Sequence, residues 1–266
     1  MRFSVLSSGS KANCTFLECG STRILIDCGL SGTQAEKRLL ELGIDPSTLS
    51  ALLVTHEHSD HIHGVHTISR RYKIPVYANR DTAKFLGKTH GVIEIKTGEP
   101  FVHQQLGISP FSIVHDAVDP VGYVIRSEGL KFGQATDLGK VTPLVRDALT
   151  GCNALVLESN HDPIMLQECD YPWELKQRIA STHGHLSNHE AGGLLLEILH
   201  SELLHVVLGH LSENSNTPEL AHQTVSNYIT QGSSGAIRNL VCACIARQTP
   251  LFEVGEPSVV EQAVGA

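Results

Sequence analysis

The 266-residue sequence predicts an α/β sandwich, with β-sheets inside and helices outside. Three observations lead there. Short β-rich apolar runs open the chain, with Gly and Ser between them. Helical patterns then alternate with short buried strands. Three of those strands, at 51–55, 154–157 and 204–208, end in histidine-bearing loops that can converge at one end of a sheet.

In chain order, the runs 2–6, 14–18 and 23–28 read as a meander. Residues 34–42 have helical spacing and stop at Gly43, a suitable C-cap. A buried strand at 51–55 precedes a helix at 62–72, a strand at 75–78 and a small helix at 81–86. The stretch 92–133 is mostly strand, with 121–126 and 130–133 forming a hairpin. Helices are expected at 143–149, 173–179, 189–199 and 219–229, buried strands at 154–157 and 205–208, and one or two strands after Asn239. Beyond Val254 the residues are small and polar, so a single domain over 1–255 with a flexible tail over 256–266 is expected. No linker, low-complexity segment or convincing repeat is visible.

The composition narrows the function. Hydrophobic residues make up 41% and charged residues 18%, a globular balance at a length that buries a full core. The N-terminal MRFSVLSSGS turns polar at Ser7, before a signal-peptide core can form, and no apolar run is long enough to span a membrane. A cytoplasmic protein is expected. The seven cysteines are odd in number and include no CxxC pair, so buried reduced thiols are expected rather than a thiolate zinc site. A net charge of −8 is not the footprint of a groove-binding nucleic-acid protein. The 16 histidines are the outlier, and histidine is the commonest metal ligand.

The motif Thr55-His56-Glu57-His58-Ser59-Asp60-His61 directly follows the buried strand at 51–55. His56 and His58 alternate, so an extended loop points both rings to one side. Asp60 and His61 should fall on a tight turn into the next helix. One tetrahedral zinc takes about three protein ligands plus water, so this cluster suits two ions better than one. His115, after a strand, is the candidate third ligand of the first ion. Asp137 could bridge both ions, and His210 could complete the second. His63 and His66 read as helix-surface residues, and Arg70, Arg71 and Lys73 as solvated charges.

The order HxHxDH, His, Asp, His resembles the metallo-β-lactamase superfamily over nearly the whole chain. The resemblance implies an αββα sandwich of the metallo-β-lactamase fold, with the metals at one edge. It implies one ion on His56, His58 and His115, another on Asp60, His61 and His210, and Asp137 between them. The finer resemblance is to the YycJ/WalJ-like branch. It rests on SSGSKANC (7–14), LIDCGLSG (25–32), THEHSDHIHG (55–64), HDA (115–117), TDLG (136–139), ESNHD (158–162), YPW (171–173), GHLSN (184–188) and LGHLSENSN (208–216). Members of that branch are regarded as phosphodiesterases, some as DNA exonucleases. One departure is Leu138, where the resemblance leads one to expect Thr.

The same order is similar to ribonuclease Z and the phosphonate-pathway phosphodiesterases. There a His at the start of a helix aids the leaving group, and His185 matches it here. A helix N-terminus attracts phosphate, and a His beside it can donate a proton. The span from His115 to Asp137 is too short for the long tRNA-binding arm of ribonuclease Z. Ser8, Ser10 and Lys11, on a Gly/Ser-rich turn, and His161, at the end of its strand, are candidate substrate contacts. Glu158 ends the same strand, with a supporting or substrate role.

The resulting expectation is a phosphodiesterase with two divalent ions, a DNA exonuclease or related nuclease using a metal-activated water. Asp60, Asp137 and His185 are its candidate catalytic residues, and nucleic acid or another phosphodiester is its partner. Zinc fits the imidazole-rich ligands, and manganese is also accepted. The alternative is a hydrolase of a small thioester, lactone or lactam on the same metals. The diiron branch, which carries Glu in place of the second His of the cluster, is excluded by His58.

Overall fold

In a computed structural model, which describes residues 1–232 and 237–255, the chain forms two seven-stranded sheets packed face to face. The predicted tail at 256–266 lies outside the described residues. The strands are β1 (Arg2–Ser7), β2 (Cys14–Cys19), β3 (Thr22–Ile26), β4 (Ala51–Leu53), β5 (Val76–Asn79), β6 (Val92–Ile95), β7 (Phe101–His103), β8 (Leu106–Ser112), β9 (Val121–Ser127), β10 (Leu130–Ala135), β11 (Ala154–Glu158), β12 (His205–Gly209), β13 (Asn239–Cys242) and β14 (Phe252–Glu253). The helices are α1 (Gly32–Glu41), α2 (Ser59–Ile62), α3 (Val65–Tyr72), α4 (Arg80–Ala83), α5 (Pro143–Leu149), α6 (Pro163–Glu168), α7 (Trp173–Ile179), α8 (Asn188–Ile198) and α9 (Pro218–Ile229).

The first sheet runs β14-β1-β2-β3-β4-β5-β6 and the second β13-β12-β11-β10-β9-β8-β7. Within each, three antiparallel strands lead into three parallel ones: β1–β3 then β4–β6, and β8–β10 then β11–β13. The repeat that the sequence does not display is therefore topological. Any set of β-formers can satisfy the pattern, so the two halves need not resemble each other in residues.

Three buried layers hold the sandwich. Phe3, Leu17, Ile26 and Leu53 of the first sheet meet Tyr123, Ile125, Phe132 and Val156 of the second. The Phe3 and Phe132 rings lie 5.1 Å apart across that interface, a tilted aromatic pair. Helices α1 and α3 cover the first sheet through Leu39, Val65 and Ile68, and α5, α8 and α9 cover the second through Val145, Leu195 and Val225. Sheets covered on both faces explain why β2, β11 and β12 are buried throughout instead of alternating.

Two local differences from the sequence reading bear on the site. The helix expected at 62–72 starts earlier and is divided into α2 and α3. Gly64 separates them because the backbone there presses on the strand-end loop: a Cβ would sit 2.1 Å from the Leu30 carbonyl oxygen. Asp60 and His61 thus belong to the first turns of a helix, not to a turn before it. The sequence reading also missed α6, although Asp162 caps it by accepting from the Ile164 and Met165 amides and Pro163 occupies its first turn.

The loops before β2 and after β3 together clamp this helical turn. The Asn13 amide donates to the Asp60 carbonyl at 2.8 Å and the Cys28 amide to the His61 carbonyl at 2.7 Å. Gly29 lies between them, and a Cβ there would be 1.6 Å from the Asp60 oxygen. Gly29→Ala is therefore expected to cost about 1–3 kcal/mol by overpacking and to loosen the Asp60–His61 turn. Urea denaturation and metal content of the purified variant check both effects.

Candidate metal centre

The ends of β3, β4, β10, β11 and β12 converge at one edge of the sandwich. Three residues there adopt the left-handed region that L-residues rarely occupy: Asp27 (φ 58°), Asp137 (φ 59°) and His210 (φ 55°). Each follows its strand within two residues, and the reversal turns its side chain inward across the strand ends.

Two groups of donors form. His56, His58 and His115 each offer one donor atom, all within 4.8 Å of one another. Asp60, His61, Asp137 and His210 do the same. His61 Nε2 lies 3.1 Å from Asp137 Oδ2, and His210 Nε2 lies 3.2 Å from Asp137 Oδ1, so the Asp137 carboxylate stands between two rings. All seven residues anticipated as metal ligands are thus brought together.

Four of the five imidazoles in these groups are anchored through Nδ1. His56 Nδ1 meets Thr55 Oγ1 at 3.0 Å, and His61 Nδ1 meets Asp27 Oδ2 at 2.8 Å. His115 Nδ1 meets the Gly184 carbonyl at 3.2 Å, and His210 Nδ1 meets Glu158 Oε1 at 3.1 Å. Each contact turns Nε2 toward the centre of the cluster. Thr55 also donates to Asp27 at 2.8 Å, so one small network orients both His56 and His61.

The residues fit divalent cations. Three buried atoms of the cluster, His56 Nε2, Asp137 Oδ2 and His210 Nε2, make no hydrogen bond. Leaving such a group unsatisfied costs about 1–3 kcal/mol, and more when it is charged. A cation in each donor group would satisfy all three. A third donor grouping includes Glu158 and His185 with Asp137 and His210. Glu158 is already filled: its carboxylate accepts from His185 Nδ1 (2.8 Å), His210 Nδ1 and the amides of Leu138 (2.8 Å) and Leu186 (3.3 Å). It is an anchor for two rings, not a free donor.

Burial opposes charge throughout this site, and the neighbours decide the outcome. Burial pushes His56 and His115 down. His61 is raised against its burial by Asp137 and Asp27, and His210 is raised to about 10 by Asp137, Asp60 and Glu158. Asp60 and Asp137 are held well below the carboxylate range, against burial, by His210 and His61. Glu158 is held down to about 2, again against burial, by His185 and His210.

The remaining predicted residues divide. His185 faces a cleft of about 190 Å³ lined also by Ser10, Asn160, Tyr171, Arg178 and His210. Its ring stacks on His210 with centroids 5.0 Å apart. The helix start beside it is not open to phosphate: Ser187 and Glu190 form a capping box on α8, so a carboxylate already occupies that end. Ser8 is buried; its hydroxyl accepts from the His210 amide at 2.8 Å and so supports that residue's backbone instead of facing substrate. Lys11 is an exposed side chain paired with Glu213 at 2.6 Å. His161 is buried and lines a different cleft. Leu138, the departure from the expected Thr, packs fully buried in the layer beneath α8, while its amide binds Glu158.

Sequence reading missed Asp27, Asn13 and Asp116. Asp27 closes an apolar strand, and an acid in that place was the available signal. Asn13 Nδ2 lies 3.0 Å from both Asp60 Oδ2 and His61 Nε2. Asp116 Oδ1 lies 3.2 Å from His115 Nε2, and its other oxygen accepts from Arg178 Nε at 2.7 Å.

Fold and cluster together define a metallo-β-lactamase-fold protein whose His/Asp edge suits a pair of divalent ions. The chain belongs to the family described as the beta-lactamase superfamily domain, which residues 22–206 match. It is 36% identical over 242 residues to exodeoxyribonuclease WalJ of Streptococcus pneumoniae serotype 2, covering 88% of this chain and 90% of that protein. It is 35% identical over 243 residues to exodeoxyribonuclease YycJ of Bacillus anthracis, covering 88% and 91%. Among solved structures it is similar to the metallo-beta-lactamase fold protein YhfI from Bacillus subtilis, with a TM-score of 0.69 and 16% identity over 93% of this chain and 98% of that one.

The raised histidines make metal-free stability depend on pH. His210 moves from an ordinary 6.5 to about 10, so its stabilisation is complete below pH 6.5 and is lost as pH rises through 10. Glu158 moves from 4.5 to about 2, so its stabilisation is present above pH 4.5 and is lost as pH falls toward 2. Chelator-treated protein should therefore lose melting temperature steadily between pH 7 and pH 10. Metal-loaded protein, its imidazole protons exchanged for cations, should stay level over that range. Differential scanning calorimetry of both forms makes the comparison, and parallel profiles would refute it.

Proposed function

We propose that the chain is a two-metal phosphodiesterase acting on nucleic acid, most specifically a DNA exonuclease. The observation that carries this reading is the pair His185–Glu158, a histidine fixed at the mouth of a cleft beside Asp137 and His210. The exodeoxyribonuclease relatives support the substrate class.

In this reading His56, His58 and His115 would hold one ion, and Asp60, His61, His210 and Asp137 would hold the other. Two divalent ions supply charge neutralisation for a phosphate and a nucleophile near neutral pH. The all-imidazole set favours zinc, and the mixed set with two carboxylates also accepts manganese.

The chain's own groups do the rest. Glu158 takes the Nδ1 side of His185 and leaves Nε2 toward the cleft. From there Nε2 hands a proton to the departing oxygen. Arg178, the one Lys or Arg among the described residues lining that cleft, is held by Asp116 through Nε and Nη2, which leaves Nη1 for a phosphate at the rim. Metal-bound phosphate needs fewer protein cations than groove binding does, which reconciles a phosphate substrate with a net charge of −8. The described residues hold no helix long and apolar enough to cross a membrane.

The test is a substrate panel with added zinc or manganese: 5′-phosphorylated DNA and RNA, a bis-aryl phosphodiester, a glutathione thioester and a β-lactam. DNA cleavage is expected. Thioester turnover without phosphodiester cleavage would overturn the reading. His185→Ala should lower kcat on DNA by about 10²- to 10⁴-fold with metal content unchanged. Loss of metal in that variant would make His185 a ligand instead.

A further inference from the structure

Helix α7 separates two clefts. Its residues Leu175, Arg178 and Ile179 line the metal cleft, and Trp173, Lys176 and Gln177 line a second cleft of about 240 Å³. The split follows helical spacing, with each face spaced by three or four residues. The chain entering α6 divides in the same way. Asn160 lines the metal cleft and the next residue, His161, lines the second. Their Cα atoms are about 3.8 Å apart, so the two clefts stand back to back.

The second cleft is unusual in its chemistry. Trp173 is the chain's one tryptophan, and it is 65% exposed at the rim. A large aromatic side chain left in water contributes little to the core, and here the described structure gives it no aromatic or hydrogen-bonding partner. At the other extreme, His161 is 4% exposed, and its Nδ1 is buried without a hydrogen bond. Lys176 binds the Gln167 carbonyl at 2.6 Å and pairs with no carboxylate among the described residues. The cleft therefore joins an aromatic face, a histidine whose buried Nδ1 lacks a hydrogen bond, and a positive charge. Its volume is below the about 300–1,000 Å³ of pockets for drug-sized ligands, which suits a single ring system.

We propose that this cleft is a subsite for one unpaired base of the nucleic-acid strand whose phosphate occupies the metal cleft. The proposal rests on the nuclease reading above. The base stacks on Trp173, the polar edge of the ring reaches His161 and Gln167, and Lys176 meets the adjoining phosphate. Every base has a π-face, so the subsite favours single strands without reading their sequence. Proximity to the metal cleft, which lies on the opposite face of the same short helix, is what selects a strand of the substrate as the occupant.

Trp173, as the one tryptophan, reports on its own surroundings. Metal-loaded protein is titrated with a short single-stranded oligothymidylate carrying phosphorothioate links, followed by tryptophan emission and by the anisotropy of a labelled strand. Emission should be quenched along the binding curve, and an oligomer of abasic residues should quench far less. Trp173→Ala should raise KM for the unmodified oligothymidylate on the order of tenfold, with kcat near wild type and turnover of the bis-aryl phosphodiester unchanged. Trp173→Phe, which keeps an aromatic face, should recover most of the loss. Unchanged emission at saturation, or an unchanged KM in Trp173→Ala, overturns the subsite while DNA cleavage by the wild type leaves the nuclease reading standing. Wild-type protein that neither binds nor cleaves DNA overturns both.

Discussion

The imidazole of His61 is where the two sheets are tied together. Its Nδ1 meets Asp27 at 2.8 Å and its Nε2 faces Asp137 at 3.1 Å. Asp27 follows β3 and Asp137 follows β10, each the central strand of its seven-stranded sheet. The two carboxylates occupy equivalent places in the topological repeat, and one ring joins them. All three side chains are almost completely buried. Removing ions from water costs several kcal/mol each, so the arrangement holds only because the charges are paired. Closing this edge of the sandwich and preparing it for a cation are therefore one physical problem.

The solution is a set of anchors placed behind the donors. Thr55, Asp27, a carbonyl at Gly184 and Glu158 each take an Nδ1 atom, and the opposite nitrogen is aimed before any ion arrives. The anchors differ chemically but arise the same way, from a strand end or from a loop packed against one. The backbone carries part of the cost. Left-handed conformations at Asp27, Asp137 and His210 cost about 1–2 kcal/mol each, and the surrounding packing must hold them. Glu158 has a double use. It fixes His210 inside the cluster and His185 outside it, so the geometry of the donor set and that of the cleft histidine depend on one buried carboxylate.

Much of this edge was legible in the sequence, and what was not follows a rule. The motif His56 to His61, and His115, Asp137 and His210 after their strands, are visible because donor residues at the ends of short apolar runs stand out. Asp27 also ends such a run but stands alone, without a neighbouring histidine to draw attention to it. Asn13 reaches Asp60 only through the clamp between the loop before β2 and the start of α2. That contact depends on sheet register, which periodicity does not encode. The same limit applies to Ser8 and His161. Both lie close in sequence to functional positions, but a buried backbone bond sends one hydroxyl to His210, and alternation sends one ring to the far side of α7. Burial and period are local properties. Which loops meet is a property of the two sheets together.

Chemistry and selectivity therefore occupy different parts of the molecule. The donors and their anchors sit on strand ends and the loops that follow them, rigid because both faces of each sheet are covered. The segment that shapes the cleft is α6 and α7, two short helices between β11 and α8 that add no strand to either sheet. Changing such a segment alters what enters without disturbing the donors, as expected where a rigid scaffold supports surface connections. It joins the donors at two places. Asn160, at its base, donates to the His210 carbonyl at 2.7 Å, and Arg178, near its end, binds Asp116 beside His115. In the proposed reading, a strand lying along α7 would touch groups tied to both donor sets. The helical pair, more than the net charge of the chain, would then set how the proposed phosphate polymer approaches this edge.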